Sequence, residues 1–419
     1  MVKNTPRQVL FASLIGTTIE FFDFYIYATA AVLVFPKLFF PATNPAAATL
    51  ASLATFGIAF LARPLGSTLF GHFGDRIGRK TTLVLALSTM GLSTVAIGAL
   101  PTYAEIGFAA PLLLALCRFG QGIGLGGEWG GAVLLAVENA PPGKRAWYGM
   151  FPQLGAPVGF FLSGSTFLLL SRTLSDKQFF AYGWRLPFLA SAVLVLLGLY
   201  VRLTLTETPL FEAALERGEQ VEMPMLIVLR RHWRAVLTGV LVCYTAFVVF
   251  YLMTVFALSW GTTALGYSRG KFLLMQLFAI CFFAGAIPIS ALLAERSRRG
   301  VMAWSSVAVF VFGLVMAPLF SSGTAGTLVM LAVGLFLMGM VYSPLGTILS
   351  ELFPTAVRYS GSSLAFSLGG IAGASLTPSI ATSLARNHGL PFVGYYLAAS
   401  AVVTLGGLAV MRETASGNL

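Results

Sequence analysis

The stretch from Val301 to Phe320, VMAWSSVAVFVFGLVMAPLF, runs for 20 residues without a charge. A helix that crosses the hydrocarbon core of a bilayer needs about 20 mostly apolar residues, so this segment alone is long enough to span. Leu186 to Val201 has the same character, and so does the chain as a whole. Apolar types make up 57% of its 419 residues, charged types 10%, and mean hydropathy is +0.85. A soluble globular protein carries roughly 25% charged residues; this chain lacks the charge to cover a water-facing surface, which excludes a soluble enzyme. The same numbers exclude disorder. Lipid allows only helices and closed barrels, because backbone groups must pair internally. Barrel strands alternate apolar and polar over about 10 residues, whereas the runs here are longer and continuous. The chain therefore reads as an all-α membrane protein with twelve transmembrane helices, at 9–35, 48–70, 81–100, 109–138, 146–170, 184–204, 235–260, 271–293, 301–320, 325–350, 360–385 and 391–411.

Lys3 and Arg7 precede an apolar run that Glu20 and Asp23 soon interrupt, which argues against a cleavable signal peptide. Cys117, Cys243 and Cys281 lie far apart within predicted spans, a pattern of packing rather than of disulfides or metal. With the N-terminus in the cytoplasm, 17 Lys and Arg fall in cytoplasmic segments and 7 in outer ones, with Arg63 and Arg118 inside spans. That bias places both termini in the cytoplasm. The net charge of +11 then reads as topology and not as nucleic-acid binding.

The longest polar stretch, 205–234, divides the chain into a six-helix bundle at 1–204 and another at 235–419. Its mixed charges predict a short cytoplasmic helix along the membrane surface. The two parts repeat faintly. Glu138 to Arg145 and Glu351 to Arg358 both fit E-x-x-P-x-x-x-R, 213 residues apart, and Asp75 to Lys80 is echoed by Glu295 to Arg299 at an offset of 220. Duplicated six-helix parts point to a transporter with its site near the midplane, between them.

The loop Gly71-His-Phe-Gly74-Asp75-Arg76-Ile-Gly78-Arg79-Lys80 resembles the G-x-x-x-D-R-x-G-R-K signature of the major facilitator superfamily, at the position between spans two and three where that signature belongs. The finer resemblance is to its metabolite:proton symporters. It is carried by Ile19 to Tyr25, Arg118 to Gly131, Gly183 to Phe188, Glu207 to Phe211 and Glu351 to Pro354, and so covers essentially the whole chain. The resemblance implies alternating access, proton-coupled uptake of a small organic acid or zwitterion, action as a monomer, and a place in the bacterial inner membrane. Gly155-Ala-Pro157-Val-Gly159 matches the glycine-proline signature of drug antiporters only in part, which favours uptake over export. The second-half loop has lost its glycines and carries Glu295 in place of an aspartate. That departure argues against a share for it in closing the inner side.

Ionisable groups inside a bilayer cost at least about 2.5–3.5 kcal/mol on insertion scales, so they face a cavity or one another. Glu20 and Asp23, three residues apart, share a helix face near the middle of span one. Arg118 lies at similar depth in span four. An acid–arginine pair there would couple transport: ionised, the carboxylate holds the arginine; protonated, it releases it to a substrate carboxylate. Burial and a neighbouring cation act on such a carboxyl in opposite senses, so a working balance is attainable. A static ion pair is the alternative. Asp23 ranks slightly ahead of Glu20 as the proton carrier. Glu128 sits lower in span four, among glycines that let another helix approach; it is a second proton site, a partner for a basic group near the inner side, or structural. Trp129 reads as packing. Gln153, Tyr244, Tyr251, Gln276 and Tyr342 are cavity candidates, each with an interhelical hydrogen bond as the plainer role.

Gly71, Asp75, Arg76, Gly78, Arg79 and Lys80 read as an inner gate. Asp75 would meet the N-terminus of a helix in the other bundle, and Arg76 or Arg79 would pair with Glu138. Glu351 and Arg358 would act similarly in the second half. Gly122 to Gly127 fits G-x-G-x-x-G but lies within an apolar helix, without the βαβ unit a dinucleotide site needs. Gly78 to Thr81 resembles a P-loop but has Arg79 where glycine belongs. ATP-driven pumping is therefore not expected. His72, His232 and His388 are too scattered for a metal. The expectation is a secondary transporter, not an enzyme, with no cofactor beyond a coupling proton. Its partners would be a small-molecule substrate, the proton and the lipid bilayer, with no nucleic acid. A proton-independent facilitator or exchanger is the alternative within that class. A membrane sensor is the rival from outside it.

Overall fold

The computed structural model describes residues 6–41, 45–77, 79–203 and 224–414, without the side chains of residues 6, 46 and 74–80. Among them are twelve helices long and apolar enough to cross a membrane: α1 (Arg7–Leu33), α2 (Ala47–Phe73), α3 (Thr81–Ala99), α4 (Ala109–Glu138), α5 (Arg145–Thr173), α6 (Gly183–Leu203), α7 (Trp233–Thr263), α8 (Arg269–Ala294), α9 (Arg298–Ser321), α10 (Gly323–Glu351), α11 (Thr355–Asn387) and α12 (Leu390–Val410). There is no strand among the described residues. The expected helix between the bundles is seen from Pro224 to Arg231; positions 204–223, with Glu207 and Phe211, lie outside the described residues.

The packing repeats. Within the first bundle α1 packs on α5, α2 on α4, and α3 on α4 and α6; six helices later α7 packs on α11, α8 on α10, and α9 on α10 and α12. Between the bundles α5 meets α8 and α2 meets α11, pairings that exchange when the halves are exchanged. The sequence repeat is thus a structural pseudo-twofold.

Glycine sets how closely these helices approach. A Cβ on Gly122 would stand 2.7 Å from Ala62 Cβ of α2, and one on Gly124 would stand 2.7 Å from Met90 Cβ of α3. The glycine run of α4 therefore lets both neighbours in, as expected of small residues in helix contacts within lipid. Two helices are locally underwound into π turns, at Leu252–Phe256 in α7 and Ile371–Ser375 in α11. Such turns are rare and concentrate at functional sites. Outside the membrane, Thr102 and Glu105 form a capping box at the start of the short helix Tyr103–Ile106. The Thr102 N–H that donates to Glu105 holds its carboxyl below the usual range.

Candidate functional site

A narrow cavity lies between the bundles, walled by α1, α2 and α5 on one side and α7, α10 and α11 on the other. Most of its wall is aromatic: Phe21, Tyr25, Phe247, Phe250, Tyr251, Tyr342 and Phe366. Its cation is Arg63 of α2. The guanidinium stands 5.0 Å from the Phe60 ring and 5.3 Å from that of Phe24. It makes no ion pair among the described residues, and its Nε has no hydrogen-bond partner. The Tyr342 hydroxyl, across the cavity on α10, is also without one. Two of the five cavity candidates, Tyr251 and Tyr342, therefore line this space.

The other three do not. Gln153 is fully buried, accepts from Trp129 Nε1 at 3.2 Å and donates to the Tyr342 carbonyl at 2.9 Å, tying α4, α5 and α10 together. Gln276 donates to the carbonyls of Met253 and Thr254, at 3.1 and 2.8 Å, within the π turn of α7. A π turn releases carbonyls from the helical ladder, and Gln276 satisfies two of them. Tyr244 turns away, its ring beside Gly373 of α11. Trp129 stacks flat on Phe366 across the bundle interface, centroids 3.7 Å apart, so it packs as expected.

The expected pairing of Arg118 with Glu20 or Asp23 is absent. Arg118 is fully buried, boxed by the rings of Tyr27 (4.0 Å), Phe24 (4.4 Å) and Phe56 (5.0 Å), and donates to Gln121 at 2.9 Å. The rings and Gln121 supply what a carboxylate would otherwise supply. Asp23 instead faces α6, where Ser191 donates to Oδ1 at 2.5 Å; Oδ2 has no partner. A polar relay still connects the two. Gln121 donates to Thr94 at 2.7 Å, and the Thr94 hydroxyl lies beside Asp23.

A second cluster lies nearer the face that carries the termini. Glu128 of α4 pairs with Arg202 of α6, which also donates to the Leu83 carbonyl at 2.7 Å. Glu20 is an electrostatic neighbour of Glu128, of Arg63 and of Arg202, and its Oε2 has no partner. Arg202, counted above with the cytoplasmic residues, is thus buried in the bundle. The basic group that Glu128 faces is Arg202.

The bundles touch on both sides of the cavity. Toward the termini, Tyr359 donates to the Gly127 carbonyl, Ser67 and Ser367 bond at 3.0 Å, and Arg145 lies 3.7 Å from Glu351. Arg298 approaches Glu351 at 3.0 Å and Glu295 at 3.9 Å. Glu295 corrects an expectation. Its carboxylate accepts from Trp147 N–H at 2.7 Å, at the start of α5 in the other bundle. The anion-on-helix-terminus contact foreseen for Asp75 is thus made by the second-half loop that lost its glycines. Gly71 lies close to the other bundle: a Cβ there would stand 3.2 Å from Ser360 Oγ of α11. Arg358 is buried and donates to the Phe353 carbonyl at 3.3 Å. Glu138 ends α4, half-buried. Gly78 and the side chains of Asp75, Arg76, Arg79 and Lys80 lie outside the described residues. On the opposite face, Tyr25 stacks on Phe250 at 5.3 Å and Arg269 pairs with Asp176 at 2.7 Å.

Residues 13–378 match the model of the Major Facilitator Superfamily. The chain belongs to that superfamily. Among curated members it is 54% identical over 418 residues to the inner membrane metabolite transport protein YhjE of Escherichia coli (strain K12), with 98% of this chain and 95% of that one covered. It is 38% identical over 392 residues to the shikimate transporter of the same strain, covering 91% and 88%. Among solved structures, the partially occluded inward-open xylose transporter XylE from E. coli superposes with a TM-score of 0.76 over 99% of both chains, at 16% identity. The chain is therefore a multi-pass inner-membrane protein of a transporter family.

The cavity cation, Arg63, was not among the sequence candidates. Arg63 and Arg118 are the two basic residues that the span assignment left inside the membrane, and an intramembrane cation is a functional candidate by default. That rule, applied evenly, points to Arg63 as strongly as to Arg118.

Beyond α12, Glu413 accepts from Ser297 Oγ at 2.6 Å and from the N–H groups of Arg298 and Arg299 at 3.2 Å each, capping α9 beside the Arg298–Glu351 contact. Glu413→Ala is expected to cost about 0.5–2 kcal/mol of cap energy and to speed hydrogen exchange over 297–301. Unchanged exchange there would remove the cap from the account of the gate.

Proposed function

We propose that this protein imports a small organic acid or zwitterion together with a proton, by alternating access, as a monomer with both termini in the cytoplasm. The observation that carries the reading is the separation of two unbalanced charges within one closed site. Arg63 stands in the cavity with no ion pair among the described residues, near enough to Glu20 to feel its charge but not bonded to it, and Asp23 is buried in α1 with no cation against it. A substrate carboxylate supplies the missing anion at Arg63. Arginine suits this role through its planar fork of donors, with the Tyr342 hydroxyl as a further donor from the opposite bundle. The rest of the substrate meets aromatic rings, which receive an apolar ring or a quaternary ammonium equally well. A ligand held by α2 and α10 together favours the closed arrangement of the bundles, as a conformational change driven by binding requires.

A proton supplies the missing cation at Asp23. Ionised, Asp23 needs donors, and the relay through Thr94 and Gln121 leads to Arg118, which has two nitrogens without partners. Protonated, it makes no such demand, and α1 is freed from α4. The metabolite transporters among its relatives support the substrate class; one of them is described as a proline/betaine transporter.

The test is external pH in a lightly buffered suspension of de-energised cells expressing the chain, with carboxylates and betaines added singly. One compound should alkalinise the medium, and Asp23→Asn should abolish the signal while sparing exchange. Uptake of a labelled compound with no pH change would replace symport by a proton-independent facilitator.

A further inference from the structure

On the face opposite the termini lies a second cavity, of about 670 Å³ and open to solvent. Both bundles line it. Its charged residues are Lys37, Arg172, Arg269 and Lys271 against a single acid, Asp176. Fifteen residues of α5 separate Ser171 at this cavity from Ala156 at the central one, about 22 Å at 1.5 Å per residue. The two are distinct sites.

We infer that this vestibule captures organic carboxylates, the incoming carboxylate taking the place of Asp176 at Arg269. The inference rests on the uptake reading above. Asp176 partners Arg269 at 2.7 Å, but its side chain is 81% exposed. An exposed pair of this kind is worth about 0–1 kcal/mol, so an incoming anion displaces it at little cost. Arg269 is also held by Ser171 at 3.1 Å and by the Phe179 ring at 4.2 Å, so it keeps its place when the acid leaves. Lys37, Arg172 and Lys271 have no acid partner among the described residues; Lys37 lies 4.5 Å from the Phe180 ring and Lys271 donates to Thr324 at 2.8 Å. Unbalanced cations in a concave wall raise the local anion concentration, and salt weakens the effect.

The test is protection of lysines from a membrane-impermeant acylating reagent in spheroplasts expressing the full chain, read residue by residue by mass spectrometry. Citrate is the probe. Sodium chloride at equal ionic strength and glycine betaine, whose net charge is zero, are the controls. Citrate at three times its half-protecting concentration should slow acylation of Lys37 and Lys271 about fourfold by mass action, and leave Lys177 unaffected. Arg172→Gln should raise the half-protecting concentration roughly tenfold, the loss of one charge-assisted hydrogen bond. Asp176→Asn should lower it, because the competing acid is gone. Equal protection by sodium chloride, equal protection of Lys177, or labelling of Lys37 and Lys271 only in inverted vesicles would each overturn the proposal. Asp23→Asn should keep the protection intact, so a failure of proton coupling is told apart from a failure of capture.

Discussion

Replacing Arg63 with glutamine abolishes accumulation of an anionic substrate at low concentration and leaves the chain folded. Arg63 contributes no ion pair to the fold, and its Nε is already unsatisfied. Glutamine breaks no ion pair, and Glu20 keeps its second cation, Arg202, so the cost to stability is modest. The cost to binding is not. A hydrogen bond to a charged group contributes about 1.5–3 kcal/mol net, which corresponds to a rise in KM of roughly 10- to 100-fold at about 1.4 kcal/mol per decade. Lysine should recover only part of this, because it keeps the charge but loses the planar fork and the stacking on Phe24 and Phe60. The measurement is initial uptake rate against concentration, beside the elution profile of purified protein. Unchanged KM in a monodisperse Arg63→Gln protein would move substrate recognition away from this cavity.

Arg202→Met is expected to have the largest effect on stability. It removes the only cation paired with Glu128 among the described residues, in a place fully closed to solvent. Breaking a buried ion pair from one side costs about 3–5 kcal/mol, whereas replacing both partners by apolar groups of similar size is often neutral. The double variant Arg202→Met, Glu128→Leu should therefore regain most of the loss. Thermal unfolding in detergent of the wild type, both single variants and the double variant closes the cycle. Additive losses would show that the two residues act independently and would dissolve the cluster with Glu20 as a unit.

Much of this was legible in the residues, and the limits have physical causes. Depth along a span is legible because a helix advances 1.5 Å per residue; counting from the ends put Arg118 and Asp23 at one level correctly. Azimuth is not. Which way each side chain points depends on how its helix is rotated against its neighbours, and at that shared depth Asp23 turned to Ser191 of α6 while Arg118 turned into three rings. The same gap explains Gln276 and Tyr244, which lie in the correct helices but on other faces.

The gate shows a second limit. Glu295 departs from the signature of the first-half loop, and by pattern alone it loses the role. Its actual partner, the N–H of Trp147, belongs to the backbone. Any suitably placed carboxylate serves a helix terminus, and a side-chain pattern is blind to a backbone partner.

The sequence by itself determined that the chain lives in lipid, as twelve helices in two related bundles, with the signature of a facilitator. These properties follow from composition, segment length and repetition, which are additive along the chain. Only the tertiary structure decided that Arg63 stands in the cavity, that Asp23 has no counter-ion, and that Glu128 belongs to Arg202. Those are relations between helices far apart in sequence, set by the glycine-mediated contacts that fix each helix's rotation.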